Sequence, residues 1–141
     1  MSDIRGIVNN IKSKYKTSSP YDLVSAMDIQ ICRCELGQIH GYYYRVFRIK
    51  QIFLNCNLSK TEEKLVLSHE LGHSVLHPNA NTPFLRADTY LSVDKMEIEA
   101  NKFAIELLIS DSDLLEYSDY SLDKLSAIFG YHSKLIELRL K

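Results

Sequence analysis

The stretch KTEEKLVLSHELGHSVLH, residues 60–77, governs the reading of the whole chain. Ser59 precedes it, and Glu62 follows three residues later, the spacing of a capping box that opens a helix. The predicted helix runs from Lys60 to about His77. Leu65, Val66, Leu67, Leu71, Val75 and Leu76 cover most directions around it, the pattern of a helix buried on nearly every side. Inside it lies His69-Glu70-Leu71-Gly72-His73, an H-E-x-x-H motif in the helical context the motif requires. Residues four apart on a helix lie within about 40° of each other and one turn along the axis. His69 and His73 can therefore reach one metal ion from one face. Burying two histidines and a glutamate in apolar surroundings is costly unless they are partnered, and a metal supplies the partner. Glu70, on the flank, can address a water at that ion without being a ligand. Gly72 weakens a helix interior by about 1 kcal/mol relative to Ala, so its presence predicts the close approach of another backbone, with the sheet as candidate.

A catalytic zinc usually takes three protein ligands and a water. Glu97 and Glu99 lie in the next predicted helix, residues 93–109. On a helical wheel Val93, Ala100, Ala104 and Leu108 lie within about 60° of Glu97, which places that carboxylate in the apolar stripe. Glu99 falls with Lys102 and Glu106 on the polar face. The expected ligands of one zinc ion are therefore His69, His73 and Glu97. Asn101, on the same face as Glu97, either accepts the Nδ1–H of a ligating histidine or packs between helices. Such an ion lowers the pKa of a bound water to about 7. Glu70 is the expected catalytic base, taking a proton from water as it attacks a carbonyl and passing one to the leaving amine. Tyr90, His77, Tyr131, His132 and Arg139 are candidates for a second oxyanion donor. His77 drifts about 80° off the face of His69 and reads as a poor ligand.

Outward from this centre, Ile4, Ile7, Val8 and Ile11 mark a helix over residues 3–16, with Lys12, Lys14 and Lys16 at its end. Ser18-Ser19-Pro20 starts a second short helix carrying Leu23, Val24 and Met27. Residues 29–35 alternate as a strand. GYYYRVFRI and QIFLNC read as two further strands joined at Lys50-Gln51. Pro78 through Leu91 is a loop long enough to suggest function. Residues 111–141 hold two short helices, LDKLSAIF and SKLIELRL, separated near Gly130. The expected class is α+β: a small antiparallel three-stranded sheet packed against a zincin-like H-E-x-x-H helix with further covering helices, in a single domain over residues 1–141.

The 141 residues are 45% hydrophobic and 25% charged, which excludes wholesale disorder, collagen and coiled coil. Seventeen Lys and Arg against eighteen Asp and Glu leave a net charge of −1, so no global field draws the chain to nucleic acid or anionic membrane. Residues 121–141 faintly resemble the first two helices of a helix-turn-helix, but four cations against two acids are few for phosphate contact. No nucleic-acid partner is expected. Three cysteines, an odd number, without a secretory leader and with no apolar stretch near the ~20 residues that span a bilayer, predict a cytoplasmic protein. Cys32 and Cys34 point to one side of a strand and read as small core residues rather than a redox or metal pair.

From about Ile39 to Ser110 the sequence resembles the ImmA/IrrE family of small metallo-endopeptidases. The resemblance rests on the I-x-x-N strand (Ile52 to Asn55), HELGHSVLH (His69 to His77) and E-x-E-A-N-x-F-A-x-E-L-L (Glu97 to Leu108). The E-x-x-A-N spacing also resembles the ligand helix of thermolysin-like enzymes, which again assigns the third ligand to Glu97. The resemblance implies a zinc peptidase of bacteria or their mobile elements. Its protein substrate would be a helix-turn-helix repressor, cleaved or inactivated to relieve repression of a phage, an integrative element or a stress regulon. Family members often have Pro after E-L-L, where this chain has Ile109-Ser110. No fused DNA-binding domain precedes the motifs, so the substrate is expected to be a separate protein. The strand YYYRVF is a candidate edge for pairing with an extended peptide. The competing expectation is a metal-stabilised regulatory protein that binds a repressor or DNA without cleaving it. Glu70 separates the two, because a pure binder has no need of an unliganded carboxylate beside its metal.

Overall fold

The computed structural model describes residues 3–79 and 94–141. Asp3 caps helix α1 (Ile4–Tyr15), and Ser19 caps α2 (Pro20–Ala26), with Pro20 in its first turn, where a missing N–H costs nothing. Strands β1 (Ile29–Cys34), β2 (Gly41–Val46) and β3 (Ile49–Asn55) form one sheet in the order β1-β3-β2. The capping box of Ser59 and Glu62 is formed and opens α3 (Lys60–Leu76). Asp94 caps α4 (Lys95–Leu108). Three short helices follow: α5 (Asp111–Glu116), α6 (Leu122–Phe129) and α7 (Ser133–Leu140). Among the described residues no helix is long and apolar enough to cross a membrane.

The α+β class and the three strands are as expected, but the sheet is mixed. β2 and β3 pair antiparallel with Tyr43 opposite Ile52, whereas β1 runs parallel to β3 with Ile31 opposite Ile52. Residues 35–40 must cross two strand spacings, about 10 Å, which a segment of that length does easily. β3 then slots between β1 and β2. The hairpin turns at Phe47-Arg48, three residues before the expected Lys50-Gln51. Phe47 takes the positive φ, 56°, that a two-residue turn needs and that Gly or Asn usually supplies.

The inner face of the sheet, with Ile29, Tyr43, Ile52 and Leu54, packs on Val66, Leu67 and Leu71 of α3, and α1 and α2 add Ile4, Val8, Leu23 and Val24. Since Ile29 faces this core, alternation sends Cys32 and Cys34 to the other side of the sheet. Cys32 is exposed and Cys34 half-buried, so neither is the core residue expected. A second cluster, Ile105, Ile109, Leu125, Tyr131, Leu135 and Ile136, holds α6 and α7 against α4. Helix α5 was not anticipated, although Ser110 and Asp113 form a capping box that announces it.

One further expectation is corrected. Gly72 does admit a close neighbour, but that neighbour is α4. A Cβ there would lie 3.0 Å from Phe103 Cβ. The sheet approaches α3 at Gly41 instead, where a Cβ would meet the Phe53 carbonyl oxygen at 2.6 Å and Val66 Cγ1 at 2.9 Å. The polar face of α4 is covered by neighbouring elements. Glu106 is buried against Arg5 (3.1 Å), Lys102 (2.8 Å) and Arg139 (3.4 Å), so that α1 and α7 cover this face through charge pairing.

Candidate metal centre

Helices α3 and α4 pack side by side and present three donors to one point. His69 Nε2 lies 2.9 Å from Glu97 Oε2, His73 Nε2 lies 2.8 Å from Glu97 Oε1, and the two Nε2 atoms are 3.2 Å apart. Tetrahedral coordination with bonds of about 2.0–2.1 Å sets donors about 3.3 Å apart, so these separations suit a single small cation. One donor atom from each of the three residues lies within 4.8 Å of the others, and all three residues are buried. The carboxylate of this cluster is that of Glu97; Glu99 lies outside it.

The hydrogen bonding behind the donors sets their lone pairs. His69 Nδ1 lies 2.7 Å from Asn101 Oδ1, which can only accept. Nδ1 therefore carries the hydrogen and Nε2 offers a lone pair toward Glu97 and His73. A neutral His69 would then set lone pair against carboxylate, and a cation between them removes the conflict. Asn101 thus takes the orienting part of the two left open by its sequence position.

Glu70 is fully buried beside this cluster, and neither carboxylate oxygen has a hydrogen-bond partner among the described residues. The Tyr43 backbone N–H favours its charged form without making a hydrogen bond of ordinary geometry. Burial pushes its carboxyl up to about 7, against the pull of His69 and with the help of Glu97. Glu97 shows the opposite balance. Burial would raise it, but its close contacts with the His69 and His73 rings hold it far below the usual carboxylate range. Burial lowers the His73 pKa; the same burial acts on His69, where Glu97, Glu70 and Asn101 outweigh it and raise the value.

Of the candidate oxyanion donors, Tyr90 lies outside the described residues. Arg139 is engaged by Glu106, Asp111 and the Ile109 carbonyl, and Glu106 lies on the opposite side of α4 from Glu97. Tyr131 is buried in the second apolar cluster, and His132 caps α7. His77 stands behind His73, with its Nδ1 3.2 Å from His73 Nδ1 and its Nε2 3.1 Å from Glu99 Oε1. The sequence reading measured His77 against His69, eight residues away, and so passed over its place one turn beyond His73. His77 is the residue after the helix, with φ −134°, and its ring folds back along the last turn. Asn55 of the I-x-x-N strand donates to the carbonyls of Gly37 and Ile39, which locks the loop leading into β2.

Residues 24–141 match the family model of the IrrE N-terminal-like domain, Peptidase_M78. The chain is 42% identical over 139 residues to the uncharacterized immunity region protein 2 of Bacillus phage phi105, covering 96% of this chain and 88% of that one. It is 29% identical over 143 residues to metallopeptidase ImmA of Bacillus subtilis (strain 168), covering 96% of this chain and 85% of that one. With a matching family model over most of its length and a buried His-His-Glu cluster able to hold a metal, the chain belongs to the ImmA/IrrE family of metallopeptidases.

Proposed function

We propose that this chain is a single-domain, zinc-dependent endopeptidase in which His69, His73 and Glu97 hold the ion and Glu70 is the catalytic base. The observation that carries the reading is the convergence of three buried donors beside a fully buried carboxylate whose oxygens find no partner among the described residues. The donor chemistry, two imidazoles and one carboxylate, suits zinc. A bound ion of this kind supplies an acidified water and polarises the scissile carbonyl. Glu70 accepts the proton as the water oxygen bonds to the carbonyl carbon, and delivers a proton to the amine nitrogen as the C–N bond breaks. A carboxyl that burial has moved toward neutral pH can do both. The same carboxylate weighs against the reading of a metal-stabilised binder, which would gain nothing from it.

For the substrate we propose a helix-turn-helix repressor in the cytoplasm, cleaved or inactivated to release a prophage or another mobile element. The support is family membership together with the phage relative, whose name places it in an immunity region. The three unpaired cysteines fit a reducing compartment. The test uses purified protein with the repressor encoded beside its gene, with and without chelator, and Glu70→Gln alongside. The expected result is chelator-sensitive cleavage that falls by about 10²-fold or more in the variant. Full cleavage by Glu70→Gln would remove the assigned base and with it the mechanism.

A further inference from the structure

We propose that His77 and Glu99 form a positioning pair that holds His73 with its hydrogen on Nδ1, leaving Nε2 as the lone-pair donor to the ion. The proposal rests on the metal-site reading above. It begins with a buried carboxylate that this reading does not use. Glu99 is only 8% exposed, and its one hydrogen-bond partner among the described residues is His77 Nε2, at 3.1 Å. A carboxylate only accepts, so Nε2 of His77 carries a hydrogen, and the other nitrogen of a neutral ring, Nδ1, is an acceptor. That acceptor lies 3.2 Å from His73 Nδ1. The hydrogen between the two rings therefore belongs to His73, and His73 Nε2, which faces Glu97 and His69, is bare.

Both elements contribute to this alignment. His77 is the residue just past α3, and its backbone N–H still donates to the His73 carbonyl at 2.7 Å, which keeps the two rings adjacent. Glu99 lies two residues beyond Glu97 on α4, so one helix supplies the proposed third ligand and the anchor for the chain behind the second. The two imidazole ligands are thus set in different ways. His69 rests on a single amide oxygen, Asn101 Oδ1, whereas His73 is aligned by a second imidazole that a carboxylate polarises. His77 also stands at the Nδ1 side of His73, away from the three converging donors, which distinguishes it from a fourth ligand.

The experiment uses the full chain freed of metal by chelator. Zinc affinity is read by competition with a chromophoric chelator, and the position of the His73 ring hydrogen is read from its ¹⁵N shifts before zinc is added. His77→Leu should bind zinc about 10–100-fold more weakly and lose the Nδ1–H form of His73. His77→Gln, whose amide oxygen can still accept from Nδ1, should recover most of both. Wild-type zinc affinity in His77→Leu, or an unchanged His73 ring in that variant, would overturn the pairing. If His77→Leu does not fold, Glu99→Gln decides by the same two readings: a shifted His73 ring with weaker binding supports the pair, and an unchanged ring overturns it. Wild-type protein that takes up no zinc would overturn the metal reading itself. Equal binding by wild type and every variant would overturn this pair alone.

Discussion

Asn101 Oδ1 and His69 Nδ1 lie 2.7 Å apart, and one turn earlier on α4 Glu97 Oε2 lies 2.9 Å from the other nitrogen of the same ring. One helix thus grips both ends of a histidine supplied by the other. Asn101→Leu removes the acceptor and frees the ring to present the wrong nitrogen. It should weaken zinc binding by about 10–100-fold with little change in helix content, as read by chelator competition and circular dichroism.

Glu70 should cost the metal-free protein stability. Its folded pKa of about 7 lies above the ordinary 4.5, so the native state holds this proton more tightly than the unfolded chain. The penalty is absent well below 4.5, grows as pH rises through about 7, and reaches on the order of 3 kcal/mol above that. Glu70→Gln escapes it. In chelator, the variant's melting temperature should therefore exceed that of wild type by a margin that widens from about pH 5 to pH 8. Parallel melting curves across that range would show that the carboxyl is not buried as described.

The contact of Gly72 with Phe103 makes a steric prediction. An added Cβ would sit 3.0 Å from Phe103 Cβ and 3.1 Å from its ring, and Phe103 is fully buried with no room to retreat. Gly72→Ala gains about 1 kcal/mol of helix propensity but forces α3 and α4 apart at a cost of about 1–3 kcal/mol. We expect net destabilisation in denaturant melts. Zinc affinity should fall as well, because the same two helices carry the donors.

Glu106 is the hub of the far side of α4. Burial alone would raise its pKa, but hydrogen bonds from Arg5 and Lys102 and the charges of Arg139 and Lys102 hold it below the ordinary value. Its stabilisation is therefore present above about pH 4.5 and is lost as pH falls through the folded value. Glu106→Gln leaves three cations facing one another and should cost about 3 kcal/mol at neutral pH. It should also flatten the acid limb of the stability profile, measured by denaturant titration between about pH 3 and pH 7.

What the sequence determined by itself is local or periodic. The capping box at Ser59 and Glu62, the four-residue step between His69 and His73, and the place of Glu97 in the apolar stripe of α4 all depend on near neighbours along the chain. They place two donors on one face of α3 and a third in the apolar stripe of α4, and the packing of the two helices brings the three together. Only the tertiary structure decided the parallel pairing of β1 with β3, the solvent side taken by Cys32 and Cys34, the cover over Glu106 and the seat of Glu99 beside His77. Each of these depends on which distant segment arrives next to a residue. His77 illustrates the difference, since its step of four residues from His73 is local, whereas the Glu99 carboxylate against its other nitrogen comes from α4.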